Sequence, residues 1–371
     1  MQNNKIIPMY DINLSYDENF ENGPYFFEES IPQRNIIEKE KFLNFELNSR
    51  IGVASGPLLN SKWIKLASEL GYDFLTYKTI RSSFKQSHPH PNIIYINSEE
   101  QFSINNLPQY VHESKFPNKE ISITNSFGMP SKSLKYLEED IKKANCYLKE
   151  GQIMVVSIVG TPILNNNYSP SEQYSLFVKD FTEISLFAKN CGAKIIEANF
   201  SCPNVGCSNE GKIYQNPEIV LDISSSITKA LGDTPLIIKV GYYEDIELMN
   251  KIFINSSKSK VKAIAGINTV NMKVITSNST FENPIPALGE NRLNSGICGN
   301  SIRNIALDFI KKSNEIIKNK QLDLSIIGCG GISKEEHFNL FLKNGAQIVT
   351  TATGILYNPY LAYNYYLNKK I

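Results

Sequence analysis

Eight short apolar runs rich in β-branched residues recur along the 371-residue chain: Ile51–Ser55, Phe74–Lys78, Ile153–Val159, Lys194–Phe200, Leu236–Val240, Ala263–Asn268, Leu324–Gly328 and Ile348–Ala352. Amphipathic stretches long enough for helices separate them, the alternation that suits parallel strands joined by crossovers. Eight parallel strands close into a barrel whose interior is filled by side chains. The sequence therefore predicts an α/β fold, a (β/α)8 TIM barrel. The intervening helices are legible too. In Ser61–Leu70, Trp63, Leu66, Ala67 and Leu70 share one face, and Gly71 supplies a stop. In Ser171–Asn190, Tyr174, Phe177, Val178, Phe181, Ile184 and Phe187 form an apolar stripe that reads as core packing.

One elaborated domain accommodates this length. Residues 1–48 read as an N-terminal extension packed on the barrel, and 49–371 as the barrel itself. Segment 80–150, with a ninth strand-like run at Ile121–Asn125, and segment 271–300 are expected to be insertions over the C-terminal mouth. Residues 11–30 hold six acidic groups and no basic ones among Tyr16, Phe20, Tyr25, Phe26 and Phe27, a solvated arm that packs by its aromatics.

With 38 basic against 37 acidic side chains there is no net field to attract nucleic acid, and a small-molecule partner is expected. No segment approaches the ~18 apolar residues of a membrane span, and residues 1–32 lack a signal-like apolar core, so a cytoplasmic protein is expected. The cysteines at 146, 191, 202, 207, 298 and 329 form no CxxC pair, which argues against zinc or an internal iron–sulfur cluster. His88 and His90 alternate with prolines in an extended loop without further ligands nearby, and no metal is expected.

Candidate chemistry gathers where strands end. Glu197-Ala198-Asn199-Phe200-Ser201-Cys202-Pro203-Asn204 puts two amides and a thiol at the tail of the fourth strand. A thiol there serves as base only as thiolate or beside a proton acceptor, since the free group titrates near ~8.5; alone it reads more often as an inert core residue. Asn125-Ser126-Phe127-Gly128-Met129-Pro130 is a turn whose backbone N–H groups can hold a carboxylate, or simply a strand end. Lys78 and Lys239 close apolar strands, where an unpaired ammonium is costly, and two aimed at one mouth suggest an anionic ligand. Gly328-Cys329-Gly330-Gly331-Ile332 and Ala352-Thr353-Gly354 end the seventh and eighth strands, where barrels commonly bind phosphate through exposed N–H groups. Together they suggest a phosphorylated cofactor.

In this order, from about Ile51 to Leu356, the motifs resemble the class 1 dihydroorotate dehydrogenases. Asn199-Phe200-Ser201-Cys202-Pro203-Asn204-Val205 is similar to that family's catalytic loop, and the Asn125–Pro130 and Ile326–Ile332 segments support it. The resemblance implies an FMN enzyme in which Cys202 takes a proton from C5 of dihydroorotate while hydride leaves C6 for the flavin. It implies that Asn125, Asn199, Asn204, Asn268 and Thr269, with the N–H groups of Gly128 and Met129, hold the substrate. Lys78 would lie beside substrate and flavin as part of the catalytic set. Lys239 would stand at the flavin edge that gains charge on reduction, with Asn125, Asn199 and Asn268 also touching the cofactor. The ring would stack over Ala54, Ser55 and Gly56, and the phosphate would lie on Gly296, Gly330, Gly331, Thr353 and Gly354. A homodimer, and electron transfer to fumarate or to a partner subunit, belong to the same expectation. The chain departs from the family pattern at Val205-Gly206-Cys207, where Val-Pro-Gly is usual, and at Val240-Gly241-Tyr242, where Leu-Pro-Pro is usual; Asn268–Met272 matches only partly.

Three alternatives stand beside it. An FMN barrel acting on dihydrouracil or another dihydropyrimidine would not need the carboxylate groups. A flavin reductase of uridines in RNA would need a basic surface. A non-catalytic flavin-binding barrel would leave Cys202, both lysines and the amides unexplained.

Overall fold

The computed structural model describes residues 8–26, 31, 38–98, 100–162, 167–201 and 210–368. Eight parallel strands form a closed ring in chain order: β1 (Ile51–Val53), β2 (Phe74–Ile80), β3 (Ile153–Ile158), β4 (Ile195–Asn199), β5 (Leu236–Lys239), β6 (Ala263–Gly266), β7 (Ser325–Cys329) and β8 (Ile348–Thr351). Each coincides with one of the eight apolar runs. Their side chains are buried on both faces, as a sheet covered by helices outside and filled inside requires.

The two faces separate with the period of two that strand geometry imposes. Phe74, Ile153, Val155, Ile195, Ile237, Ala263, Ala265, Ile327 and Ile348 form the barrel interior, whereas Leu75, Met154, Ile196, Ile238, Ile264, Ile326 and Val349 pack outward under the helices. Continuing the interior columns upward gives Lys78 after Phe74 and Thr76, Glu197 and Asn199 after Ile195, Lys239 after Ile237, and Cys329 after Ile327. The interior thus passes from hydrocarbon at the amino ends of the strands to polar groups at their carboxyl ends. A hairpin, Glu40–Phe42 with Phe45–Leu47, plugs the apolar end, and the Phe42 ring meets Phe74 edge-on at 5.7 Å.

Over the polar end lies a second, five-stranded closed sheet. It is built from Ile93–Ile96, Val111–Ser114 and Ser122–Asn125 in one insertion and Val270–Ile275 and Asn294–Gly299 in the other. The two insertions are therefore one structure. The segment 80–150 also contains Leu134–Cys146, the crossover helix between β2 and β3, so the inserted part ends before it. Ser133 caps that helix, Leu137, Ile141 and Ala144 are buried, and Asp140 accepts hydrogen bonds from Ser61 and the Tyr77 hydroxyl. Among the described residues no helix is long and apolar enough to cross a membrane.

The arm is more tightly integrated than a solvated segment. Ser15 and Glu18 form a capping box that starts the helix Tyr16–Asn22, while Tyr10, Tyr16, Phe20 and Phe26 are buried. Phe20 packs against Tyr16 and Tyr136, and the Lys132 ammonium stands 4.6 Å from its ring centroid. Phe20→Ala is expected to cost about 3–5 kcal/mol in unfolding free energy, as truncation of a buried aromatic does, measured by urea denaturation. A change within experimental error would mean that the arm is not part of the cooperative fold.

Candidate active site

The carboxyl ends of the strands and the inner face of the cap enclose a cavity with about 130 Å³ of space for the centres of water-sized molecules. Its wall brings together Ala54, Ser55, Gly56, Lys78, Asn125, Gly128, Met129, Asn199, Lys239, Asn268, Thr269, Gly330, Gly331, Thr353 and Gly354. These come from strands, cap and loops far apart in the chain. Cys202 and Asn204 lie outside the described residues.

The amides form a linked set. Asn199, at the end of β4, accepts from the Ser201 N–H at 3.2 Å and directs its own amide nitrogen to Thr79 Oγ1 at 3.4 Å. Asn268 donates to the Ser201 carbonyl at 2.8 Å and lies 3.5 Å from Asn199 Oδ1, and the Ser201 hydroxyl donates to the Lys239 carbonyl. The root of the loop that carries Cys202 is thereby pinned at the cavity. Asn125 reaches Cys298 Sγ at 3.4 Å. Burial raises the Cys298 thiol to about 11, so it stays protonated at neutral pH and is no candidate base.

One hydroxyl is buried here without the partner that burial demands, and the cation of one buried side chain opens onto the cavity. Lys239 is 4% exposed, and among the described residues nothing hydrogen-bonds or ion-pairs with its ammonium. The Thr269 hydroxyl is also unpartnered. Lys78 stands 5.9 Å from the Phe127 ring centroid, a cation–π distance, on another wall of the cavity. Glu197, one layer down, accepts from Ser55 at 2.7 Å.

At the opposite end are glycines that only glycine can serve. Gly330 and Gly331 have φ of 124° and 73°, and a Cβ on Gly331 would stand 2.9 Å from the Arg303 backbone nitrogen. Gly299, φ 92°, joins them on the wall, followed by the turn Asn300–Ile302 and the helix Arg303–Lys320. Gly296 does not line the cavity. It pairs with Asn125 and Asn271 inside the cap sheet, and its lack of a side chain makes room for Thr269. The sequence offers two glycines three residues apart, and only the strand register tells which one faces inward.

Behind the glycines is a group that sequence reading missed. Arg303 donates to the Gly331 carbonyl and to Glu120 on the cap, both at 3.2 Å, and Lys334 also ion-pairs with Glu120. Burial pushes the Glu120 carboxyl up, but the bonds from Lys334 and Arg303 outweigh it and hold the group below its usual range. His337 Nδ1 accepts from the N–H groups of Ser333 and Lys334, both at 3.2 Å, so the ring is neutral with its proton on Nε2. Nothing in the local pattern around Arg303 or His337 distinguishes them from ordinary helix residues. Among the described residues no group of three or more His, Cys, Asp or Glu could hold a metal ion.

Comparison with known proteins bears on this cavity. The model of the dihydroorotate dehydrogenase family matches residues 105–365. A dihydroorotate dehydrogenase of Dictyostelium discoideum is 43% identical over 375 residues, covering 98% of both chains. A dihydroorotate dehydrogenase (quinone) of Buchnera aphidicola subsp. Schizaphis graminum is 24% identical, covering 90% of this chain and 85% of its own. In fold, the chain is similar to the Eimeria tenella enzyme crystallised with ferulenol, at a TM-score of 0.66 and 15% identity, over 88% of this chain and 81% of that one.

Burial, then the charge of Arg303, lowers His337 from 6.5 to about 4. The unfolded chain therefore takes up this proton first, and the contribution of His337 to stability is complete above pH ~6.5 and is lost as pH falls toward 4. Urea denaturation is expected to show stability falling more steeply between these values in the wild type than in His337→Asn. Equal slopes would contradict the assignment.

Proposed function

The chain belongs to the dihydroorotate dehydrogenase family, whose activity is dihydroorotate oxidation, and we propose that Cys202 is the base and FMN the flavin of this reaction. Oxidation makes the C5–C6 double bond by loss of a proton from C5 and of a hydride from C6. Bound FMN would supply the acceptor for the hydride. The Lys239 ammonium carries this reading: it is the cation of a buried side chain lining the same cavity as the glycine turns suited to a phosphate, and it suits an electron-rich ring edge. Its position in register with Asn199 puts it directly beside the amide set.

The residues of the chain then divide the work. Ala54, Ser55 and Gly56 form the floor for the flavin ring, while Gly330, Gly331, Thr353, Gly354 and Gly299 take the phosphate. Asn125, Asn199, Asn204, Asn268 and Thr269 orient the dihydropyrimidine by hydrogen bonds, and the Gly128–Met129 turn takes its carboxylate. Lys78, across the cavity, adds positive charge near both rings. Cys202 receives the C5 proton as thiolate, so at a given substrate concentration the step is fastest where the thiol is ionised.

The test is anaerobic mixing of the purified, flavin-loaded protein with dihydroorotate, followed by flavin absorbance. Rapid bleaching is expected, with a rate that rises up to about tenfold per pH unit below the thiol's pKa and levels above it. Cys202→Ala should slow bleaching by about 10²–10⁴-fold while leaving the flavin bound. A near-normal rate in the variant would remove Cys202 from this role, and bleaching by dihydrouracil but not dihydroorotate would replace the substrate. A protein that takes up no FMN would overturn the cofactor.

A further inference from the structure

The turn Asn125–Pro130 has an unusual backbone: Gly128 and Met129 are both left-handed, at φ 78° and 49°. For methionine that conformation is sterically costly and persists only where the surroundings impose it. The loop 81–92 does so. Arg81, 1% exposed, donates from Nε to the Met129 carbonyl at 3.2 Å, and Asn92 accepts the Ser126 N–H at 2.8 Å. The closest support is His88. Its N–H donates to the Phe127 carbonyl at 3.0 Å, its Nδ1 meets the Ser126 hydroxyl at 2.9 Å, and its ring lies flush against Gly128. A Cβ built on Gly128 would stand 2.5 Å from His88 Cδ2 and 2.7 Å from Nε2. Among the described residues Nε2 has no hydrogen-bond partner.

We propose that His88 is a positioning residue that makes the site selective for a carboxylated ring: it holds the turn from behind and takes up a proton when a carboxylate binds on the turn's other side. This rests on the reading that the Gly128–Met129 turn receives the substrate carboxylate. The charges around the ring set the direction. Arg292, whose guanidinium binds the Pro89 and Pro91 carbonyls, and Lys85, paired through its backbone with Ser131, both face His88 as cations. Lys78 stands 5.9 Å from the Phe127 ring centroid, and Asp17 of the arm is engaged by Ser87, the residue before His88. Burial first, then Arg292 and Lys85, lower the imidazole below its usual range, so without ligand it is neutral at pH 7. A bound carboxylate supplies the missing negative charge and favours the imidazolium. By linkage, carboxylate affinity must then rise as pH falls through the His88 range, while a neutral ring gains nothing.

The experiment titrates the oxidised, FMN-loaded protein with orotate and with uracil, read by perturbation of the flavin spectrum between pH 5.5 and 8. Orotate is expected to bind about tenfold more tightly at the acid end, and uracil equally at both. His88→Asn, which keeps a polar partner for Ser126, should retain FMN but bind orotate without pH dependence, and His88→Ala should weaken orotate throughout. A slope that survives in His88→Asn, or a wild type with none, overturns the proposal. If orotate does not perturb the wild-type flavin at all while FMN is bound, the underlying placement of the carboxylate fails first, and this inference with it.

Discussion

Closing eight parallel strands into a ring sends every carboxyl end to one rim, and everything chemical about this protein follows from that constraint. Because strand side chains alternate, a column that begins with Ile237 in the hydrocarbon interior must end with Lys239 facing the cavity, and one that begins with Ile195 must end with Asn199. The neighbouring register then places Lys239 beside Asn199 with no loop needed to hold either. Functional groups on strand ends inherit the rigidity of the barrel. The loops have only to add what the strands cannot: backbone N–H groups and the five-stranded cap.

The cap is more than a cover. Its strand Ser122–Asn125 carries Asn125 and leads into the turn beside His88, while its other end is tied to the glycine cradle. The Asn300 N–H reaches the Ile121 carbonyl at 2.9 Å, the Ser301 N–H reaches the Ser122 hydroxyl at 2.9 Å, and Glu120 bridges Arg303 and Lys334. Since Arg303 also holds the Gly331 carbonyl, the two ends of the cavity share one framework of hydrogen bonds. The arm extends it: Tyr10 and Tyr16 pack on Phe127, and Asn92 accepts the Tyr16 N–H at 2.8 Å while bonding Ser126.

Much of this was legible in the sequence because it is periodic or local. The barrel strands announce themselves by apolar runs, and Gly71, Gly330 and Gly331 by the left-handed turns that only glycine tolerates cheaply. What was not legible depends on register and on long-range packing. The union of two insertions into one sheet is invisible from either segment alone, and the helix Leu134–Cys146 was absorbed into an insertion because no apolar run separates it from the preceding strand. Gly299 rather than Gly296 faces the cavity because of its place in a sheet that no local pattern specifies. His88 reads as a stiff loop residue before a proline, and only its packing against Gly128, forty residues on, gives it a role.

The proposed reaction requires one cavity to hold a phosphorylated flavin on its glycine turns and a carboxylated pyrimidine among its amides, with Lys239 at the flavin. A crystal structure of the protein with FMN and orotate tests it most directly. The phosphate is expected within hydrogen-bond distance of the Gly330, Gly331 and Gly354 backbone, the Lys239 ammonium at the pyrimidine-like edge of the flavin, and the orotate carboxylate on the Gly128–Met129 turn. A flavin bound elsewhere, or one that leaves Lys239 unpartnered, would contradict it.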